Sequence, residues 1–256
     1  MTSRNNEITA LMTEEGIVNE FLRPIIVSEA MSYDATLKEA LKISQDKESA
    51  KAIEQNMVEY LTSIKTGMGY QMAFAVSEAS CAYYTYNGVS KFLDPEKDDH
   101  DVWYRDSVRS GQKYVLNVDT DEDYNWSLSI FVNTSVMDED GTRLGCCGVG
   151  VQMGSVQELI AKYEEENDIR IFLTNRDGLI QVSSDGARIE KEYVDNSHFY
   201  KVNSEKFYTV KEKTGTTLIK YIPQLGWHLV IVDPNPNKIS VSKIVLPNII
   251  IFLLGI

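Results

Sequence analysis

The chain reads as an α+β fold in which a long helical segment precedes two antiparallel-sheet modules in series. Three observations predict it. Apolar residues recur at helical spacing through the N-terminal part, the period changes to two from Tyr70 onward, and the hairpin grammar of the middle returns on a smaller scale near the end. No strand–helix alternation of the parallel-sheet kind is present. With 256 residues, 43% of them apolar, the chain is long enough for a substantial core, as one elongated domain or two smaller ones.

From Asn5 to about Ile43 the apolar positions Ile8, Leu11, Met12, Val18, Phe21, Leu22, Ile25 and Ile26 predict one long helix, with Pro24 as the place for a kink or local break. Ser44-Gln-Asp46 offers capping residues, and a second helix is expected from about Glu48 to Ile64, ended by Gly67 and Gly69. Met72 to Ser77 and Ala82 to Tyr86 read as strands, and Tyr86-Asn87-Gly88 carries a tight-hairpin signal. An irregular acidic insert follows. Ser127 to Val136 and Leu144 to Met153 form a hairpin around Asp138-Glu-Asp-Gly141, and a helix begins at Ser155 and runs to about Glu166. In the second module Ile169 to Thr174 and Leu179 to Ser183 pair across Asn175-Arg-Asp-Gly178; Lys206 to Lys211, Thr216 to Ile222 and Trp227 to Val232 supply three more strands. The boundaries expected are 1–66 for a helical stalk, 67–166 for the first module and 167–238 for the second.

Composition excludes several functions. A net charge of −13 opposes nucleic-acid backbones and anionic lipid, so no nucleic-acid partner is expected. Cys81, Cys146 and Cys147 are too few for a disulfide framework and lack CxxC spacing. No GxGxxG or GxxxxGK[ST] supports nucleotide binding, and none of His100, His198 and His228 sits in an HExxH or GxSxG setting. Neither catalysis nor a cofactor is expected, and His228 beside Trp227 reads as a packed histidine. The closing run from 244 to 256 holds thirteen residues without a charge, short of the roughly 20 needed to cross a bilayer, and reads as the start of a transmembrane helix.

The acidic insert is the unusual stretch. Between Asp94 and Asp123 lie eight Asp and two Glu against four Lys or Arg, and "DHDVWYRD" at 99–106 sets Trp103 and Tyr104 among them. Asp119-Thr-Asp121-Glu-Asp123 begins as a calcium loop does, but Tyr124 and Ile130 stand where such a loop needs Gly and Glu. A looser calcium site remains one alternative, and a solvated acidic loop another.

In order, the helix, the "WY" insert followed some fifteen residues later by "DTD", the hairpin "VNTSVMDEDGTRLGCCGVGVQM", then "NRDGLI", "LGWHLVIV" and the apolar end resemble double Cache domains. These are PAS-like extracytoplasmic sensor domains of bacterial chemoreceptors, sensor kinases and diguanylate cyclases. The resemblance covers essentially residues 5–256 and implies a small-molecule ligand in the membrane-distal module, 67–166. It further implies a membrane-proximal module, 167–238, a homodimer through the N-terminal helix, and membrane attachment through flanking transmembrane helices. Trp103 and Tyr104 occupy the position of the family's ligand-binding pair. The amino-acid-binding version of the family carries an Arg where this chain has Asp101 and an Asp where it has Gly150.

Reversing the charge at 101 favours a cation, and aromatic faces add cation–π attraction. The expected ligand is therefore a small amine or quaternary ammonium compound. Its expected site comprises Asp101, Trp103, Tyr104, Asp119, Asp121, Tyr84, Tyr86 and Asn133. Asn133 enters because an inward-facing polar residue on a strand needs a partner that a ligand can supply. The alternative is a neutral or anionic metabolite, such as a pyrimidine, a modified amino acid or a carboxylate, in the same sensor fold.

Overall fold

The computed structural model describes residues 2–121, 127–213 and 215–234. Four helices come first: α1 (Thr2–Tyr33), α2 (Ala35–Ile43), α3 (Lys47–Ala52) and α4 (Glu54–Met68). The expected single helix to Ile43 is thus two, and α1 runs through Pro24 to an interruption at Asp34. There the Asp34 carboxylate accepts the N–H groups of Thr36 (2.7 Å) and Leu37 (3.1 Å), satisfying the open donors of a new helix. The second predicted helix is also divided. Asp46 and Ser49 form a capping box at the start of α3, and Ile53 interrupts the backbone before α4.

The first sheet contains β1 (Met72–Ser77), β2 (Ala82–Thr85), β3 (Gly88–Phe92), β4 (Tyr114–Asp121), β5 (Ser127–Met137) and β6 (Arg143–Gln152), in the order β3-β2-β1-β6-β5-β4. Two of these strands, β3 and β4, fall where the sequence reads as turn and irregular insert. The insert also holds a 3₁₀ turn, Asp99–Asp101, leading directly into α5 (Val102–Arg109). Helix α6 (Met153–Asn167) leads to the second sheet of β7 (Arg170–Thr174), β8 (Ile180–Val182), β9 (Tyr208–Glu212), β10 (Gly215–Ile222) and β11 (Trp227–Asp233), in the order β8-β7-β11-β10-β9. Every strand pair in both sheets is antiparallel.

Register decides what each face of the first sheet does. Val76 pairs with Tyr83, Phe74 with Gly148, Met72 with Gly150, and Phe131 with both Gly150 and Asn117. Cross-strand partners share a face and neighbours along a strand alternate. Met72, Phe74, Tyr83, Phe131, Asn133, Asn117 and Asp119 therefore stand on one side. Ala73, Ala75, Tyr84, Cys147 and Val149 stand on the other, where they pack against Met31, Leu37, Leu41, Met57 and Leu61 of the helices. A fully buried side chain of this size contributes roughly 1.5–3 kcal/mol, so the helices are held chiefly by this apolar face.

The middle of α1 belongs to a second core that runs into the other sheet. Ile17, Phe21 and Ile25 join Ile130, Val132, Val156 and Ile160 with Ile171, Leu173, Trp227 and Leu229. Phe21 meets Trp227 edge-on at 6.0 Å, Lys220 Nζ pairs with Glu14 at 2.8 Å, and the Tyr114 hydroxyl donates to the Gln224 carbonyl at 2.9 Å. His228 is buried and stacked on Phe199 at 4.1 Å, and burial pushes its pKa below the usual histidine value. Among the described residues no helix is long and apolar enough to cross a membrane. The apolar run from 244 to 256 lies outside the described residues.

At Gly148 the backbone of β5 and the Phe74 side chain of β1 close in on β6. A Cβ there would lie 1.7 Å from the Val132 carbonyl oxygen and 3.3 Å from the Phe74 ring. Gly148→Ala is expected to destabilise by about 1–3 kcal/mol through overpacking, lowering Tm by about 2–4 °C per kcal/mol in a chain of this size. A thermal melt at unchanged Tm would show that the three strands separate freely.

Candidate ligand pocket

The non-helical face of the first sheet forms the floor of a pocket, and the segment from Asp94 to Arg109 forms its wall. The wall is tied down by its own acids. Asp98 accepts the His100 N–H at 2.9 Å and starts the 3₁₀ turn. Asp101, only 2% exposed, accepts the Asp94 N–H at 2.7 Å and lies 2.8 Å from the Lys91 ammonium on β3. The Tyr104 hydroxyl donates to the Glu78 carboxylate at 2.5 Å, and Arg105 donates to the Pro95 carbonyl at 3.2 Å. So fixed, α5 turns Trp103 onto the floor, where its ring meets Phe74 at 5.9 Å and Tyr83 at 6.2 Å, both edge-on.

The pocket encloses about 450 Å³, counting its open mouth. Met72, Phe74, Tyr83, Trp103 and Phe131 supply its apolar and aromatic lining; Lys91, His100, Asn117, Asp119, Thr120 and Asn133 supply the polar groups. The Asn133 amide nitrogen donates to the Asn117 side-chain oxygen. The Asn133 oxygen, on a residue 1% exposed, is buried with no hydrogen-bond partner among the described residues. An unmet buried acceptor costs about 1–3 kcal/mol, a cost that a ligand N–H would remove.

Of the eight expected site residues the pocket brings together Trp103, Asp119 and Asn133. Tyr84 projects to the opposite face, where its hydroxyl sits 2.6 Å from the Ser44 hydroxyl and donates to the Ala50 carbonyl at 3.3 Å. Tyr86 lies outside the lining, beneath the Lys65 ammonium at 4.3 Å. Tyr104 is turned to Glu78, and Asp101 stands behind Lys91 rather than facing the cavity. The side chain of Asp121 lies outside the described residues, as does the rest of the candidate calcium loop from 122 to 126. Among the described residues no group of three or more His, Cys, Asp or Glu is placed to hold a metal ion.

The residues missed by sequence reasoning are Lys91, Tyr83, His100 and Asn117, with Phe74, Met72, Phe131 and Thr120. Asn117 carried a usable signal, standing two positions before Asp119 and so on the same strand face. Lys91 carried a weaker one, because the Asn87-Gly88 turn folds the following residues back along β2 and sets Lys91 opposite Tyr83.

A long helix followed by two antiparallel sheets, the first with a pocket between sheet and acidic wall, is the double Cache fold. No family model matches the chain. Solved structures do. The ligand-binding domain of the Campylobacter jejuni chemoreceptor Tlp3 in complex with 4-methylisoleucine matches at 14% identity and a TM-score of 0.59, over 90% of this chain and 89% of that one. The Pseudomonas aeruginosa amino acid chemoreceptor PctC in complex with GABA matches at 12% identity and a TM-score of 0.56, over 90% and 97%. The sensor domain of the Vibrio cholerae histidine kinase DctB matches at 11% identity and a TM-score of 0.56, over 90% and 96%. Likeness at this level of identity establishes the fold.

Burial and the adjoining Glu78 carboxylate both raise the Tyr104 pKa above the usual tyrosine value. The unfolded chain releases that proton near pH 10 while the folded chain holds it. The contribution is whole below about pH 10 and declines as pH climbs above it. Tyr104→Phe is expected to remove one late-titrating phenol from an alkaline spectrophotometric titration; loss of a phenol that titrates near pH 10 instead would place the Tyr104 hydroxyl in water.

Proposed function

We propose that this chain is the extracytoplasmic ligand-binding domain of a transmembrane signalling receptor, and that its first-sheet pocket takes a small amine. The carrying observation is the buried Asn133 oxygen that lacks a donor among the described residues, in the same pocket as the Asp119 carboxylate. A ligand ammonium supplies N–H donors to that oxygen and a positive charge to Asp119, while Trp103 and Tyr83 offer ring faces or edges for its carbon skeleton. The charge-reversal argument for a cation is thereby transferred from Asp101 to Asp119. Two of the proteins similar in fold have structures in complex with molecules that carry an amine, 4-methylisoleucine and GABA, which supports this reading. Lys91 in the lining favours a second one, an amino acid whose carboxylate turns toward that ammonium.

Binding would act by shifting a conformational equilibrium. A ligand gripped between α5 and the sheet favours the state in which the two are closed on each other. The opposite face of that sheet carries α1, whose Ser28 hydroxyl accepts the Val149 N–H of β6 at 3.1 Å. Displacement of β6 therefore reaches the long helix directly. Output is read as a movement of α1 and of flanking membrane helices, not as chemistry.

Thermal-shift and calorimetric titrations with amines, amino acids, nucleobases and organic acids test the ligand class, since binding to the native state raises Tm. Amines are expected to bind, with at least about a tenfold loss in Asp119→Asn and in Trp103→Ala. Saturable binding of nucleobases or organic acids with none of amines or amino acids would overturn the ligand class and leave the sensor reading standing.

The exposed apolar residues of α1, among them Met12 (64% exposed) and Ile26 (61%), continue a stripe through Ile8, Leu11 and Leu22 that fits a second copy of the same helix. Sedimentation is expected to show a concentration-dependent dimer that the double variant Met12→Glu, Ile26→Glu dissociates. A wild-type chain monomeric at all concentrations would refute this surface.

A further inference from the structure

We infer that the Lys91–Asp101 ion pair sets the selectivity of the pocket, with Asp101 acting as a built-in occupant of the lysine that disfavours ligands bearing a free carboxylate. The inference rests on the amine reading above and narrows it to amines without an acid group.

The geometry is specific. Lys91 lines the pocket and Asp101 does not, yet Asp101 Oδ1 is 2.8 Å from Lys91 Nζ. The Asp101 carboxylate is 2% exposed and its other oxygen receives the Asp94 N–H at 2.7 Å, so it is held in place from behind and cannot exchange its partner for water. A buried carboxylate stripped of its counter-ion is strongly destabilised. A ligand carboxylate approaching Lys91 must then either displace Asp101, leaving that charge buried and unpaired, or share the ammonium with it as a second anion at close range. Either course costs binding energy. An amine without a carboxylate meets neither obstacle. For it the pair is electrically neutral, and the lining presents the Asp119 carboxylate.

The experiment is calorimetry with matched pairs that differ only by a carboxyl group: isobutylamine against valine, and propylamine against 4-aminobutanoate. In the wild-type chain the amine of each pair is expected to bind at least about tenfold more tightly. Asp101→Asn preserves the size of the side chain and an acceptor for Asp94 while removing the charge. It is expected to improve the carboxylated member of each pair, relative to its amine, by about tenfold or more. The double variant Lys91→Met, Asp101→Asn removes both charges together and is expected to take the amines while losing that gain; it also decides the matter if the single variant folds poorly. Amines binding with the same preference in wild type and Asp101→Asn would overturn the inference and leave the amine reading intact, as would carboxylated members binding more tightly to the wild type. Failure of both members of every pair to bind the wild type would overturn the amine reading itself.

Discussion

Side-chain alternation in the first sheet is the constraint from which the rest follows. Strands β1 and β6 are buried on both faces, and their antiparallel register assigns each residue to the pocket or to the helices without intermediate choices. Phe74 faces the pocket because Ala73 and Ala75 face α4, and Tyr83 faces it because Tyr84 does not. A slip of one residue would exchange the two sets, sending Phe74 and Tyr83 into the helical core and the alanines into the pocket. Gly148 locks the arrangement, since its partner strands approach too closely for any side chain. Pocket floor and structural core are thus two faces of one layer, and neither can be altered independently of the other.

Charge in the acidic stretch follows a different logic. Asp98 and Asp101 are used up locally, one starting a turn and the other joining a lysine on a neighbouring strand. Counting carboxylates therefore overstates the negative potential that a ligand experiences. Among the described residues the carboxylate that lines the pocket is Asp119, on a strand rather than in the insert proper. The same groups fasten the wall: Asp101 and Tyr104 tie it to β3 and to Glu78, and these contacts leave Trp103 between them to meet the floor.

Fold class was legible because strong periodic signals are local. The hairpins around Asp138–Gly141 and Asn175–Gly178, helix α6 and the three closing strands all lie close to where turn residues and alternation place them. The acidic stretch was not legible as structure. Val102 to Arg109 has a short apolar face crowded by charge, and Tyr114 to Asp121 alternates cleanly but was obscured by the aspartates on its polar face. Within the pocket, Trp103, Asp119 and Asn133 announced themselves by residue type. The choice between Tyr83 and Tyr84 depended on pairing with β1, and the withdrawal of Asp101 depended on Lys91 ten residues upstream. Both are facts of register and tertiary approach, which residue type alone does not encode.

Along the β6 segment from 146 to 150, the side facing the pocket carries Cys146, Gly148 and Gly150, while Cys147 and Val149 face the helices. Two of the three pocket-side positions have no side chain at all. On the helical side of the same segment the Val149 N–H donates to the Ser28 hydroxyl of α1. Under the proposed function, communication across this layer would run through main-chain displacement and not through a relay of side chains. Substitutions aimed at individual residues would then report on folding far more readily than on signalling, and the route between the two compartments would be nearly invisible to a mutational scan.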